Sequence, residues 1–253
     1  MFSTSISART PRAPVAVQLP KAKLVERRDI TPGLMVIKLE PEGKNLRFKA
    51  GQYCTLGLKG IERAYSIVSA PHEPYLEIFV ARVSDGKLTT LMWEMKVGDT
   101  MSIRPRAKGL FVMNQRVHHH FMACTVTGVA PFISMARSYL NEGGEGHKFY
   151  ILLGASYQEE LTYDKELAGL AAKYPDCIKF VPTISRPGEA RNASWQGDKG
   201  RANTIVNKYL KQFNLPKNDT MVYACGHPGM IADVKERVSG KGWKFIEERF
   251  WKE

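Results

Sequence analysis

Short runs rich in β-branched and aromatic residues follow one another between residues 21 and 113. Four of these runs, separated by turn sequences such as Pro-Gly, Lys-Gly and Asp-Gly, cover residues 34–39, 52–58, 63–68 and 76–83. Runs of this length and composition predict β-strands. A single helix over 87–95 and a closing strand over 101–105 complete the pattern. Several short strands with one helix predict an antiparallel β-barrel.

The rhythm changes after residue 118, where strand-like and helix-like segments begin to alternate. The predicted strands cover 121–126, 148–154, 178–183 and 221–225, and the predicted helices cover 131–141, 162–173, 202–213 and 228–239. This alternation is typical of a parallel sheet with helices on both faces. The sequence thus predicts a two-domain fold: a flexible tail over 1–20, an antiparallel β-barrel over 21–115 and an α/β parallel-sheet domain over 116–253.

Composition narrows the class of protein. Hydrophobic residues make up 43% of the 253 residues and charged residues 25%, which excludes wholesale disorder. No apolar run approaches the ~20 residues that a membrane-spanning helix needs. The first 20 residues contain no acid and three prolines, which predicts a flexible tail, with an organellar transit peptide as the alternative. We expect a cytoplasmic protein unless that alternative holds.

The charge is unevenly distributed along the chain. The net charge is +12, and residues 1–120 hold 19 basic and 10 acidic side chains while residues 121–253 hold 18 and 15. The first half therefore carries most of the surplus and is expected to present a basic face. Nucleic acid, an acidic membrane surface and an acidic protein are all possible partners on this ground.

Neither the cysteines nor the histidines form a metal-binding pattern. Cys54, Cys124, Cys177 and Cys225 are far apart, which excludes C-x-x-C zinc or redox pairs and clustered iron–sulfur motifs. Adjacent histidines at 118–120 would point to opposite faces of a strand. We predict no metal site and a reducing compartment.

The first half contains two elements that suit a phosphate-bearing ligand. Arg63 and Tyr65 are two apart on a predicted strand and point the same way. Arginine can bind phosphate through two hydrogen bonds, and a tyrosine ring can lie against an aromatic ligand. Residues 86–89 open the single helix, where free N–H groups and the helix dipole favour an anion. Each element alone is typical of ordinary structure, but together they predict a pyrophosphate clamp.

The second half contains two strand–glycine–proline–helix turns, at Thr127-Gly128-Val129-Ala130-Pro131 and at Cys225-Gly226-His227-Pro228. Open α/β sheets bind ligands at the carboxyl ends of their strands, where both turns lie. Ser185 and Arg186 follow another strand. A hydroxyl and a guanidinium there suit a ribose phosphate, whereas an NAD-binding sheet would favour an acid.

Four motifs in this order resemble the ferredoxin–NADP⁺ reductase family. They are Arg63-x-Tyr65-Ser66, Gly86-x-x-Thr89, Thr127-Gly128-x-Ala130-Pro131-Phe132 and Cys225-Gly226-x-Pro228-x-Met230. The ending Glu248-Arg249-Phe250-Trp251 resembles bacterial members that serve ferredoxin or flavodoxin. The resemblance implies an FAD-binding barrel, an NADP(H)-binding domain, and hydride transfer between NADPH and FAD followed by single-electron transfer to the carrier.

The resemblance also implies roles for individual residues. The implied catalytic residues are Ser66 near flavin N5, Cys225 beside nicotinamide C4, Glu248 as a proton-network member and Phe250 over the flavin. The implied cofactor-binding residues are Arg63, Ala64, Tyr65, Ser66, Phe79, Val80, Gly86, Lys87, Leu88, Thr89, Thr127, Gly128, Pro131, Ser185, Arg186, Arg201, Cys225, Gly226, Phe250 and Trp251. Among these, Arg63 would hold the FAD pyrophosphate, and Ser185, Arg186 and Arg201 would take the NADP(H) 2′-phosphate.

The basic surplus gains a specific use under this interpretation. Ferredoxins and flavodoxins are acidic, so a basic face near the flavin would steer their docking. The candidate residues are Arg82, Lys87, Arg104, Arg106 and Lys108. We expect no nucleic-acid partner, no stable membrane association and a monomer.

Three alternatives stay open at the level of sequence. The first is an NAD(P)H-dependent reductase that feeds an oxygenase or free flavin. The second is a non-enzymatic protein that binds nucleic acid on a basic barrel surface. A purified protein without flavin colour would favour this alternative. The third is an inactive flavoprotein module: the family usually has glycine before the Thr-Gly pair, and here Val126 would narrow the approach of the nicotinamide.

Overall fold

The first half of the chain folds into an antiparallel sheet of six strands. The computed structural model describes residues 19–43 and 46–250. The strands are β1 (Lys21–Thr31), β2 (Leu34–Pro41), β3 (Tyr53–Leu58), β4 (Ile61–Ser66), β5 (Leu76–Ala81) and β6 (Thr100–Ile103). Their order in the sheet is β4-β3-β6-β1-β2-β5, and helix α1 (Lys87–Glu94) lies between β5 and β6 in the chain.

The two edge strands of this sheet meet and close it into a barrel. Ile67, directly after β4, forms an antiparallel bridge with Ile78 of β5, and the Val68 amide donates to the Glu77 carbonyl at 2.8 Å. Apolar side chains fill the interior, and Leu88 and Met92 of α1 belong to the same buried cluster. The helix therefore covers the barrel core.

The second half forms a six-stranded parallel sheet flanked by helices. Its strands are β7 (His119–Thr125), β8 (Lys148–Ala155), β9 (Ile178–Ile184), β10 (Asp198–Lys199), β11 (Thr220–Cys225) and β12 (Lys244–Glu248), in the order β10-β9-β8-β7-β11-β12. Its helices are α2 (Ala130–Asn141), α3 (Asp164–Lys173), α4 (Ala202–Gln212) and α5 (Pro228–Val238). Side chains of α2 and α3 pack on one face of the sheet, and those of α4 and α5 on the other.

The two halves share a hydrophobic core. Alternate residues of β2 separate onto its two faces: Met35 and Ile37 point into the barrel, whereas Leu34 and Val36 join the cluster that contains α2 and the parallel sheet. Because both faces of β2 are buried, the strand is apolar along most of its length rather than alternating. The shared core fixes the barrel against the α/β half.

The predicted two-part fold class is confirmed, with differences in detail. Strands β1 and β12 were not among the individual strands that we predicted, because lysine, arginine and glutamate interrupt their apolar positions. The predicted strand over 121–126 ends at Thr125, since Val126 has left-handed backbone geometry. Most of the predicted N-terminal tail, residues 1–18, lies outside the described residues, as does Trp251. Among the described helices, none combines the length and apolar character of a membrane span.

Candidate active site

A cavity of about 460 Å³ lies between the barrel and the parallel sheet. Its walls come from β4, from β5 with the turn into α1, and from the turns that follow β7 and β11. Seventeen residues line it: Arg63, Ala64, Tyr65, Ser66, Phe79, Ala81, Val83, Asp85, Gly86, Lys87, Leu88, Thr89, Thr127, Gly128, Cys225, Gly226 and Phe250. The structure thus brings together residues from all four of the motifs noted in the sequence.

The β4 wall carries a free cation beside an aromatic ring. Arg63 is exposed, its Nη1 donates to the Glu62 carbonyl at 2.7 Å, and no described carboxylate lies within salt-bridge distance of it. Burial raises the pKa of Tyr65 to about 12, so its hydroxyl stays neutral. Strand β4 ends at Ser66, and all four residues 63–66 border the cavity. This wall suits an anionic group next to a planar ring.

The turn into α1 presents backbone donors to the cavity. The first N–H groups of a helix have no partner inside the helix, and in α1 these belong to Lys87, Leu88 and Thr89. The Thr89 hydroxyl is used within the turn, where it donates to the Gly86 carbonyl at 3.1 Å. The backbone of this turn, rather than the Thr89 hydroxyl, is therefore available to a phosphate.

Glycine allows the turns after β7 and β11 to touch. A Cβ on Gly128 would lie 2.2 Å from the Cys225 carbonyl oxygen. Gly226 has a φ of +128°, and a Cβ there would lie 2.3 Å from Thr125 Oγ1. The same Thr125 hydroxyl accepts a hydrogen bond from the His227 amide at 2.9 Å. Glycine at both positions leaves the backbone open to a ligand at this edge of the sheet.

Val126 has an unusual backbone conformation directly before the first turn. Its φ is +44°, in the left-handed region that β-branched residues rarely adopt. The side chain is half-buried, packs against the core of the second half and does not line the cavity. The strain explains why glycine suits this position, and the packing places the Val126 side chain away from the cavity wall.

A buried carboxyl, Glu248, connects the two halves behind the cavity-lining residues Ser66 and Cys225. Glu248 pairs in register with Cys225 in the parallel sheet, and it accepts a hydrogen bond from the Ser66 hydroxyl at 3.3 Å. Burial raises the pKa of Glu248 from 4.5 to about 8, and the Ser66 hydrogen bond opposes this only in part. Burial also raises the pKa of the Cys225 thiol well above its ordinary value. At neutral pH the Glu248 carboxyl is therefore largely protonated and the Cys225 thiol is neutral. Glu248, hydrogen-bonded to Ser66, can hold a proton in this buried position.

Phe250 closes the cavity on the solvent side. It is 37% exposed, and its ring meets Tyr53 of β3 edge-on with centroids 5.4 Å apart. The next residue, Trp251, was predicted to bind the cofactor but lies outside the described residues.

A second cluster of cations lies at the carboxyl ends of β8, β9 and β10. Ser185 and Arg186 follow β9, and Arg201 lies two residues past the end of β10, whose Lys199 pairs with Ile184. Arg186 donates from Nη1 to the Tyr157 hydroxyl at 2.8 Å. The hydrogen bond to Tyr157, followed by the charge of Glu189, raises the pKa of Arg186. These side chains lie outside the cavity on the same edge of the sheet.

Two further predicted residues do not line the cavity. The Val80 side chain is fully buried in the barrel core, because it alternates with Phe79 along β5. Pro131 is buried in the first turn of α2, where proline suits a helix start. Conversely, Ala81, Val83 and Asp85 line the cavity and were not predicted. All three lie in the five residues before Gly86, so their position next to the predicted anion-binding helix start could have identified them from the sequence.

Within residues 19–43 and 46–250, no cluster of three or more histidine, cysteine, aspartate or glutamate side chains has the geometry to hold a metal ion. His118 Nδ1 instead lies 2.9 Å from a carboxylate oxygen of Asp219, and His120 is buried beside Tyr223.

Comparison with known proteins defines the class of protein. Residues 21–110 match the family model of the oxidoreductase FAD-binding domain, and residues 122–236 match that of the oxidoreductase NAD-binding domain. The cavity lies where these two matched regions meet. The fold and site therefore define a two-part oxidoreductase with an FAD-binding and a nicotinamide-nucleotide-binding half.

Individual relatives narrow this class. The chain is 32% identical to ferredoxin–NADP reductase B of Sorangium cellulosum over 231 residues, which cover 87% of this chain and 91% of that protein. It is 31% identical over 203 residues to the flavodoxin/ferredoxin–NADP reductase of Buchnera aphidicola subsp. Schizaphis graminum, which cover 74% and 78%. A ferredoxin NADP⁺ reductase from Neisseria gonorrhoeae with bound FAD and NADP superimposes with a TM-score of 0.76 at 26% identity, covering 91% of this chain and 98% of that one. The chain belongs to the ferredoxin–NADP reductase family, which confirms the resemblance found in the sequence.

Proposed function

We propose that this chain is a flavoenzyme that moves reducing equivalents between NADPH and ferredoxin or flavodoxin by way of FAD. Bound FAD would supply the chemistry, which is hydride exchange between its N5 and C4 of NADP(H) and single-electron exchange with the carrier. The main observation behind this proposal is a single cavity that both halves line. Arg63, Tyr65 and Ser66 line it from the barrel, and the turns at Gly128 and Gly226 line it from the parallel sheet. The family membership supports the same function.

The barrel side of the cavity fits FAD. Arg63 has no described carboxylate partner and would bind the pyrophosphate, together with the free N–H groups at the start of α1. Tyr65 would lie against one face of the flavin, and Phe250 would cover the other. We accordingly assign residues 21–115 to the FAD-binding domain and 116–253 to the NADP(H)-binding domain.

The sheet side of the cavity fits the nicotinamide nucleotide. The close approach of Gly128 to Cys225 leaves a backbone surface without side chains, against which the diphosphate and nicotinamide would lie. Cys225 is buried and neutral and would pack beside nicotinamide C4 as an apolar wall. Ser66 and Glu248 would hold a proton near flavin N5, since they are hydrogen-bonded to each other at 3.3 Å.

The arginines beside the sheet support a preference for NADPH over NADH. Ser185, Arg186 and Arg201 follow adjacent strand ends, as the 2′-phosphate of NADP(H) would require. Arg186 and Arg191 both lie over the Tyr157 ring, at 5.4 and 3.6 Å from its centroid. Arg186 is ion-paired with Glu189 and Arg191 with Glu159, so a dianionic phosphate would compete with these carboxylates for two guanidinium groups on one aromatic platform.

The carrier would dock beside the exposed edge of the cavity. Lys87 lines that edge, and within the described residues neither Arg106 nor Lys108 takes part in a salt bridge. Arg104, by contrast, is paired with Glu62 at 2.6 Å and contributes less net charge. Next to these cations, Leu110 is 88% exposed and offers an apolar contact. An acidic carrier would therefore associate more slowly as the salt concentration rises.

The proposed function is tested by absorbance spectroscopy under anaerobic conditions. The purified protein, supplied with FAD, is expected to be yellow, and stoichiometric NADPH is expected to bleach the flavin bands. Arg63→Met serves as the variant, and it should bind FAD more weakly while keeping its fold. A protein that binds no FAD, or whose flavin NADPH leaves oxidised, would contradict the proposal.

A further inference from the structure

A largely buried guanidinium ties the two halves of the molecule together. Arg137, in α2, has 19% of its side chain exposed and contacts three carboxylates. Glu73 and Glu77 belong to the barrel half, at 3.3 and 2.9 Å, whereas Glu166 belongs to α3 of the second half, at 2.7 Å. One arginine thus bridges the junction between the FAD-binding and NADP(H)-binding halves.

The hydrogen bonds of this cluster leave little freedom. Arg137 donates from Nε and Nη2 to both oxygens of Glu166 at 2.7 and 2.8 Å, and its Nη1 is left to reach Glu77. The second Glu77 oxygen accepts from the Tyr163 hydroxyl at 2.7 Å. Burial alone would lower the pKa of Arg137, but the hydrogen bond to Glu166 and the charges of Glu77 and Glu166 outweigh it and raise that pKa. The guanidinium therefore stays charged and oriented by its partners.

Both ends of the cluster continue directly into the walls of the cavity. Glu77 and Phe79 lie on the same side of β5, and Phe79 lines the cavity while its ring meets Tyr163 at 5.6 Å. On the other side, α2 begins two residues after Gly128, which also lines the cavity. Because strand and helix are rigid, the Arg137–Glu77 contact fixes the separation between these two walls.

A second contact fixes the same helix to the same part of the barrel. The Ser134 hydroxyl of α2 donates to the Ser69 carbonyl at 2.7 Å, and the Ser69 hydroxyl accepts from the Glu77 amide at 3.0 Å. Ser69, Glu77 and Ser134 are all buried. The segment from Ser69 to Glu77 is thus held against α2 by an uncharged hydrogen bond at Ser69 and by the ionic contacts of Arg137 at Glu73 and Glu77.

We propose that Arg137 and Glu77 are positioning residues for hydride transfer. By holding β5 against α2, they set the distance between the flavin on the barrel wall and the nicotinamide on the wall of the parallel sheet. This inference rests on the proposed function. A misplacement of about 1 Å in such a reaction can lower its rate by about 100-fold.

The matched variants are Glu77→Gln and Glu166→Gln. Both exchange one carboxylate of the same guanidinium for an isosteric amide, but only the first weakens a contact between the halves. With the FAD-bound enzyme at saturating NADPH, we expect Glu77→Gln to slow flavin reduction at least about tenfold and to weaken the flavin–nicotinamide charge-transfer absorbance. Glu166→Gln should stay within about twofold of the wild type, because Arg137 keeps its charged contacts to Glu73 and Glu77 across the two halves.

Hydrogen exchange of the cofactor-free proteins supplies a readout that does not depend on activity. Glu77→Gln is expected to speed exchange in residues 69–77 and at the start of α2, and Glu166→Gln is not. The inference would be overturned if the two variants had the same flavin-reduction rate and the same hydrogen exchange. An equal fall in the reduction rate of both variants would overturn it as well. A wild-type flavin that NADPH fails to reduce would instead contradict the proposed function, which separates the two failures.

Discussion

Exchanging Val126 for glycine and for alanine separates backbone strain from side-chain packing. Both variants remove most of the half-buried isopropyl group, which packs against the core of the second half. Only glycine also relieves the strain of a φ of +44°. The two variants therefore differ mainly in the conformational cost at this one residue.

The expected magnitudes follow from that geometry. A left-handed conformation costs an L-residue about 1–2 kcal/mol, and alanine keeps most of that cost because its Cβ remains. The lost packing of two half-buried methyl groups amounts to about 1 kcal/mol in either variant. Val126→Ala should therefore be less stable than the wild type by about 1 kcal/mol. Val126→Gly should be close to the wild type, because the relief of strain offsets the lost packing.

Urea or thermal unfolding of the FAD-free proteins measures this difference. For a chain of this size, about 1 kcal/mol corresponds to about 2–4 °C in Tm. Val112, a half-buried residue that is not among those with positive φ, provides the control pair, and there alanine should be more stable than glycine. The order at Val126 should be reversed. An alanine variant at Val126 that is as stable as the glycine variant would refute the strain argument.

Three other substitutions test the site. Arg186→Ala should lower kcat/KM for NADPH by about 10-fold or more and leave that for NADH nearly unchanged, and an equal effect on both nucleotides would exclude a 2′-phosphate contact. Phe250→Ser should change NADP(H) affinity and turnover together by several-fold in stopped-flow measurements, because under the proposed function nicotinamide would have to displace the ring to reach the flavin. Unchanged hydride-transfer kinetics would contradict that role. The raised pKa of Glu248 contributes stability that is fully present below pH 4.5 and is lost as pH rises through about 8. In the wild type this loss lowers the free energy of unfolding by at most about 5 kcal/mol, and FAD-free Glu248→Gln should not show it in urea unfolding measured across the pH range. If the free energy of unfolding changes with pH in the same way in both proteins, the pKa of Glu248 is not raised.

The sequence predicted those parts of the site that depend on local chain geometry. Arg63 and Tyr65 lie on the same face of β4 because side chains alternate along a strand. Gly128 and Gly226 follow parallel strands whose carboxyl ends lie at the same edge of the sheet. Hydrophobic periodicity was also sufficient for the two-part fold, because β-barrel and α/β patterns differ in period and spacing.

The parts that escaped prediction depend on contacts between distant segments. Glu248 contacts Ser66 only because β12 pairs with β11. The charged residues of β12 kept the segment from being predicted as a strand. The Arg137 cluster joins residues about 60 positions apart, for which no local pattern exists. Val126 was noted in the sequence as a narrowing of the nicotinamide path, but its side chain turns into the core, and its strain became visible only through φ.

The central claim is that the cavity converts a hydride into single electrons. The most direct measurement is the number of carrier molecules reduced per NADPH under anaerobic conditions, with purified ferredoxin or flavodoxin in excess. The account predicts about two one-electron reductions per NADPH, at a rate that falls with salt concentration. Flavin that is reduced by NADPH but passes no electrons to either carrier would contradict it.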